Sequence, residues 1–101
     1  MKKIYISQPM RGRATGDIIA ERKRLMAEAA AALQVDDVEV LDTYRGVYTT
    51  KHPLTLLAWA LEKMADADAV IFAPDWRDAR GCRCERMIAA EYGLRILDAK
   101  G

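Results

Sequence analysis

Residues 68–73 read Asp-Ala-Val-Ile-Phe-Ala, a nearly unbroken apolar run, and this segment restricts the fold most strongly. A strand that is apolar at consecutive positions has no face to give to water, so it belongs in a parallel sheet covered on both sides. Parallel neighbours must be joined by crossovers of a dozen or more residues, which are usually helices.

The remaining segments supply that alternation. Ile4-Tyr5-Ile6 is a short β-prone run, and Pro9 and Gly12 make residues 7–12 a loop. From Thr15 the period becomes helical, with Ile18, Arg22, Leu25, Ala29 and Leu33 on one face and Glu21, Lys23 and Glu28 on the other. Thr15 is the expected N-cap, with Asp17 in the first turn. Val38-Glu39-Val40-Leu41 reads as a second strand, and residues 42–53 as a polar loop with Tyr44, Arg45, Gly46 and Tyr48. Pro53 suits the first turn of a second helix, whose apolar face carries Leu54, Leu57, Leu61 and Met64. After the central run, residues 74–81 form a loop. A third helix is expected over 82–92, closed by Gly93, and Leu94-Arg95-Ile96-Leu97 is the last strand. Strands alternating with helices across short connections imply an α/β fold with a parallel sheet of four to five strands and helices on both faces. The 101 residues fit a single domain, 1–101.

Composition narrows the partners. Half the chain is hydrophobic and the net charge is +1, so no global field favours nucleic acid, and no stretch reaches the roughly 20 apolar residues that span a bilayer. The expected location is the cytoplasm, because the N-terminus lacks the apolar core of a signal peptide. Cys82 and Cys84 are expected as free thiols. With His52 alone at a distance they make a poor metal set, so neither metal nor other cofactor is expected. A chain this short buries a thin core, which favours a homodimer or larger assembly. Arg77, Arg80, Arg83 and Arg86 recur every third residue, and Arg11 and Arg13 follow the first strand. Either group is a small anion site or a solvated face.

In parallel sheets ligands bind beyond the carboxyl ends of the strands, where strand order reverses. The loops 7–12 and 74–81 fit that position and hold the densest polar chemistry in the chain. Glu85 is expected in the first turn of the third helix, just past Gly81, where the helix dipole keeps a carboxylate ionised. It is either a nucleophile for a sugar C1′ or a helix-capping carboxylate. Tyr5 points away from Ile4 and Ile6, either into a core or toward a carboxylate or sugar. Ser7 and Arg11 are candidates for holding an anion, with loop N–H groups assisting. Trp76 either stacks on a base or covers its loop. Asp68 is a candidate binding residue or the start of a strand, and Asp75 (like Asp78) is by default a solvated loop carboxylate.

Together these pieces resemble the nucleoside 2-deoxyribosyltransferase-like superfamily. Lys3-Ile4-Tyr5-Ile6-Ser7-Gln8-Pro9-Met10-Arg11-Gly12 is similar to that group's opening strand and loop. Ala67-Asp68-Ala69-Val70-Ile71-Phe72 resembles its central strand, and Gly81-Cys82-Arg83-Cys84-Glu85 with Ala89 and Gly93 resembles its helix motif. The chain looks closest to a short branch, often phage or bacterial, known as the DUF4406 group. The resemblance implies a three-layer flavodoxin-like or Rossmann-like sheet and a homodimer. It further implies a small-molecule nucleoside or nucleotide substrate and an N-glycosidase or deoxyribosyltransferase activity in which Glu85 attacks C1′ and Tyr5 positions Glu85. Ser7, Gln8, Met10, Arg11 and Gly12 would line the phosphate and sugar, with Asp68, Asp75, Trp76 and Gly81 completing the site. The chain departs from the pattern at Gln8, where glycine is usual, at Ala60, where a carboxylate is usual, and at Ala79, where a small hydroxyl residue is usual. Those departures keep two alternatives open. One is a nucleotide-binding module without catalysis, and the other a protein-interaction domain of phage or bacterial origin presenting Arg77, Arg80 and Arg83.

Overall fold

The computed structural model describes residues 1–42 and 52–100. Tyr44, Arg45, Gly46 and Tyr48 of the expected polar loop lie outside the described residues. The elements in chain order are β1 (Lys2–Ser7), α1 (Thr15–Leu33), β2 (Val38–Val40), α2 (Pro53–Ala65), β3 (Ala69–Phe72), α3 (Arg80–Glu91) and β4 (Ile96–Asp98), with one 3-10 turn at Trp76–Asp78. The four strands form one parallel sheet in the order β2-β1-β3-β4. This is the order of the first four strands of a flavodoxin-like sheet.

Alternation along the strands divides the core into two layers. Ile4 and Ile6 of β1, with Val38 and Ile71, pack against Leu25 and Ala29 of α1. Tyr5 of β1, with Val70 and Phe72 of β3, packs on the other face with Met64 of α2 and Ala89 of α3. The apolar run expected to lie in the middle does so: Ala69, Val70, Ile71 and Phe72 are all buried.

Several boundaries and faces differ from the sequence reading. Thr15 does not cap α1; Ala14 holds the extended cap position and no side chain caps the helix. Arg13 brings Ala14 there, donating its backbone N–H to Met10 O at 3.2 Å and its guanidinium to Pro9 O at 2.8 Å. Glu21 is buried rather than solvated, because Arg13 and Gln8 both reach it. On α2, Leu54 is 68% exposed while Met64 is buried, so the packing face starts after the first turn. His52 caps that helix, its Nδ1 accepting from Leu54 N–H at 3.1 Å. β4 runs over Ile96–Asp98, starting two residues and ending one residue later than expected, since Leu94 N–H is taken by Ala89 O in the turn after α3. Gly93 makes that turn with φ +70°, where a residue without Cβ is favoured. No helix among the described residues is long and apolar enough to cross a membrane.

A buried carboxylate at the strand switch point

The chain leaves β1 toward β2 on one side and β3 toward β4 on the other, so strand order reverses between β1 and β3. At the carboxyl end of that junction the Glu85 side chain meets two hydroxyls of β1. Tyr5 donates to Oε2 at 2.8 Å and Ser7 donates to Oε1 at 2.6 Å. Tyr5 and Ser7 share a face of the strand because they are two residues apart. Ser7 stands opposite Phe72 of β3, and its carbonyl accepts from Ala73 N–H at 2.9 Å, which fixes the strand end beneath the carboxylate.

Glu85 lies outside the first turn of α3. The helix begins at Arg80, two residues before the expected start, and Glu85 is its sixth residue. Gly81 therefore sits inside the helix and exposed, rather than in the turn before it. The dipole of the first turn does not set the charge of Glu85. Burial pushes its carboxyl up to about 7, against the opposing pull of the Ser7 and Tyr5 hydrogen bonds. Burial, with the neighbouring Glu85 charge, also raises the Tyr5 phenol well above its ordinary range, so Tyr5 is a donor at every accessible pH. Cys82, one turn before Glu85, is buried at the same place, and burial pushes its thiol up to about 11. Cys82 and Cys84 are both free, and the described residues contain no group of three His, Cys, Asp or Glu able to hold a metal ion.

Behind the site lies a polar network that the sequence reading did not assemble. Arg22 donates to Gln8 Oε1 at 2.9 Å and to the carbonyl of Asp42, and its guanidinium lies 3.3 Å from Asp42 Oδ2. Gln8 in turn donates to Glu21 Oε1 at 2.8 Å, and Arg13 pairs with the same oxygen at 2.7 Å. Asp42 Oδ1 accepts from Ile6 N–H at 3.0 Å. Burial pushes the Asp42 carboxyl up to about 6, while Arg22 pulls it down. Asp42 stands just past the end of β2, at the same carboxyl edge as loop 7–12. The only sequence signal for it is that position, since a single acidic residue matches no spacing motif.

The other expected site residues divide clearly. Arg11 is exposed and has no ion-pair partner among the described residues. Gly12 beside it has φ +77°, the left-handed turn that a glycine there allows. Met10 is half-buried, and its carbonyl accepts from Arg13 N–H at 3.2 Å. Gln8 points its amide at α1 and is committed to Arg22 and Glu21. Asp75 is exposed and precedes the Trp76–Asp78 turn, its carbonyl accepting from Asp78 N–H at 3.0 Å. Trp76 packs edge-on to Phe72 at 6.0 Å and is stacked by the guanidinium groups of Arg77 and Arg86, at 4.6 and 4.7 Å. Arg86 also pairs with Asp98. These residues line a cleft of about 210 Å³ at the ends of β3 and β4; Glu85 is not part of its wall. Asp68 is not brought to the site. It stands before β3, at the amino end of the strands, where its Oδ2 accepts from Lys3 N–H at 2.8 Å.

The arrangement therefore offers a carboxylate poised to exchange its proton near neutral pH, held by two neutral donors, at the same sheet edge as a loop with the exposed Arg11. No curated protein and no solved structure matches the chain. A family model described as a domain of unknown function, DUF4406, matches residues 2–98. With nearly its whole length covered by that match, the chain belongs to the DUF4406 family.

Proposed function

We propose that the protein binds a nucleoside or nucleotide and cleaves its N-glycosidic bond with Glu85 as nucleophile. The observation that carries this reading is the placement of a buried carboxylate between Tyr5 and Ser7 at the switch point of a parallel sheet. In the ionised form a Glu85 oxygen attacks C1′ and forms a glycosyl ester. The C1′–N bond breaks, and the base leaves with its electron pair and takes a proton from solvent. Water then attacks C1′, releases the sugar and returns the carboxylate; a second base in place of water gives transfer. The Tyr5 hydroxyl holds Glu85 in the attacking orientation, and exposed Arg11 is the candidate for a 5′-phosphate. The resemblance to nucleoside 2-deoxyribosyltransferase-like proteins supports the same assignment. A cytoplasmic location belongs to this reading, and the two free thiols support it.

Incubation with deoxynucleoside 5′-monophosphates and free bases, followed by chromatography, tests it. Base release that disappears in Glu85→Ala is the expected result. Equal rates remove Glu85 as nucleophile, and no release from any nucleotide removes the enzyme reading.

One observation favours a binding module without catalysis: both Glu85 oxygens and both polar atoms of Gln8 are already engaged within the protein. Tight nucleotide binding by calorimetry without base release selects it. We also propose that the chain pairs with a second copy; the exposed apolar side chains Leu54 of α2 and Met87 of α3 support this.

A further inference from the structure

The last three residues of β1 and Gln8 after them are held from two sides. Tyr5 and Ser7 donate to Glu85. Ile6, between them, donates its backbone N–H to Asp42, and Gln8, after them, accepts from the same Arg22 that pairs with Asp42. Alternate residues thus bind alternate carboxylates, and Asp42 anchors the peptide that separates the two hydroxyl donors. Stability is a weak reason for such a pair, because a buried ion pair seldom outperforms apolar residues of the same size.

Resting on the proposed reaction for its catalytic meaning, we propose that Asp42 is a positioning residue for Glu85. Clamped by Arg22 and anchored on Ile6 N–H, it fixes the two hydroxyl donors and biases the charge form of the glutamate. A like charge nearby favours the neutral carboxyl, and Asp42 is the neighbouring charge that raises Glu85 after burial itself. The other groups around Glu85 are Tyr5 and Ser7 from β1 and Cys82 from its own helix. Farther out are Arg22 and Glu21 from α1 and Asp75 ahead of α3, the last two close enough to act on Cys82. Neutralising Asp42 removes that like charge and favours ionised Glu85. Arg22 holds Asp42 down against burial, so removing Arg22 moves Asp42 toward its neutral form and acts in the same direction.

The test is a carboxyl titration of ¹³C-glutamate-labelled protein by NMR, with the Glu85 signal assigned through Glu85→Gln. In Asp42→Asn, which keeps an acceptor for Ile6 N–H, the Glu85 midpoint should fall. In Arg22→Gln, where Asp42 takes up its proton more readily, it should fall as well. Melting curves show which variants are folded, and if Asp42→Asn does not fold, the Arg22→Gln shift decides. A midpoint unmoved or raised in the folded variants overturns the proposal. The titration does not depend on turnover. A protein that releases no base therefore defeats the proposed reaction without touching this measurement. Where base release is seen, its pH limb should move with the titration.

Discussion

Ser7 and Glu85 stand 78 positions apart in the chain and meet at 2.6 Å, the shortest contact around the buried carboxylate. A hydroxyl donating to a carboxylate at that length is a charge-assisted bond, about twice as strong as one between neutral groups. It weakens when Glu85 takes up a proton, so the chemistry of this site is tied to pH.

Replacing Glu85 should separate activity from stability. Glu85→Gln is expected to reduce base release by roughly 10³-fold or more, the scale of losing a nucleophile. The same variant should be more stable than wild type above pH 8, because it removes a buried charge. Single-turnover assays and urea unfolding on one preparation check both outcomes.

Tyr5→Phe removes one donor to the carboxylate while keeping the ring in the core. A hydrogen bond to the charged form favours it, so its loss should lift the Glu85 midpoint above about 7. The alkaline-rising limb of base release should then shift to higher pH, with kcat lowered about tenfold and little change in KM. A limb that stays in place while kcat falls would assign Tyr5 to substrate instead.

Unfolding free energy should decline as pH rises from about 4.5 to about 7, the ordinary and folded positions of Glu85. Within that window the folded protein keeps a proton that the unfolded chain has released, so raising the pH favours unfolding. Asp42, raised from 3.8 to about 6, acts in the same direction over a slightly lower range. The Glu85 contribution is roughly 3 kcal/mol. Subtracting the Glu85→Gln profile from that of wild type isolates it. A flat difference would mean that Glu85 titrates normally.

The stack over Trp76 should matter more than the ion pair beneath it. Arg86 covers both Phe72 and Trp76, at 4.9 and 4.7 Å. Arg86→Lys keeps a charge for Asp98 but loses the planar stacking, which should cost about 1 kcal/mol in denaturant unfolding. Asp98→Asn should cost less, about 0.5 kcal/mol, because that carboxylate is largely exposed.

Leu54→Glu tests pairing between copies. Sedimentation should show a wild-type dimer and a monomeric variant, with the secondary structure of both unchanged by circular dichroism.

The fold was readable because its strongest signal is local. An apolar run at 69–72 demands cover on both faces, and helical periods around it supply that cover. Tyr5 and Glu85 stand out in the sequence as candidates, and the family resemblance implies that they meet; Ser7, expected to hold an anion, donates to Glu85 instead. The protonation of Glu85 was not readable. It depends on where α3 begins, and a start at Arg80 moves the residue from the first turn into a buried second turn. Glu21 and Asp42 escaped for a related reason: helical period assigned Glu21 to solvent, and only the folded loop shows Arg13 and Gln8 closing over it. Of the two readings open for Asp68, the structure bears out the start of a strand, at the end away from the site.

The distance along the chain between the hydroxyl donors and their acceptor also has a biosynthetic meaning. On a ribosome, the first strand emerges long before the helix that carries Glu85. Until then Tyr5 and Ser7 have no carboxylate to bind. The buried cluster would form in one late step, together with the docking of α3.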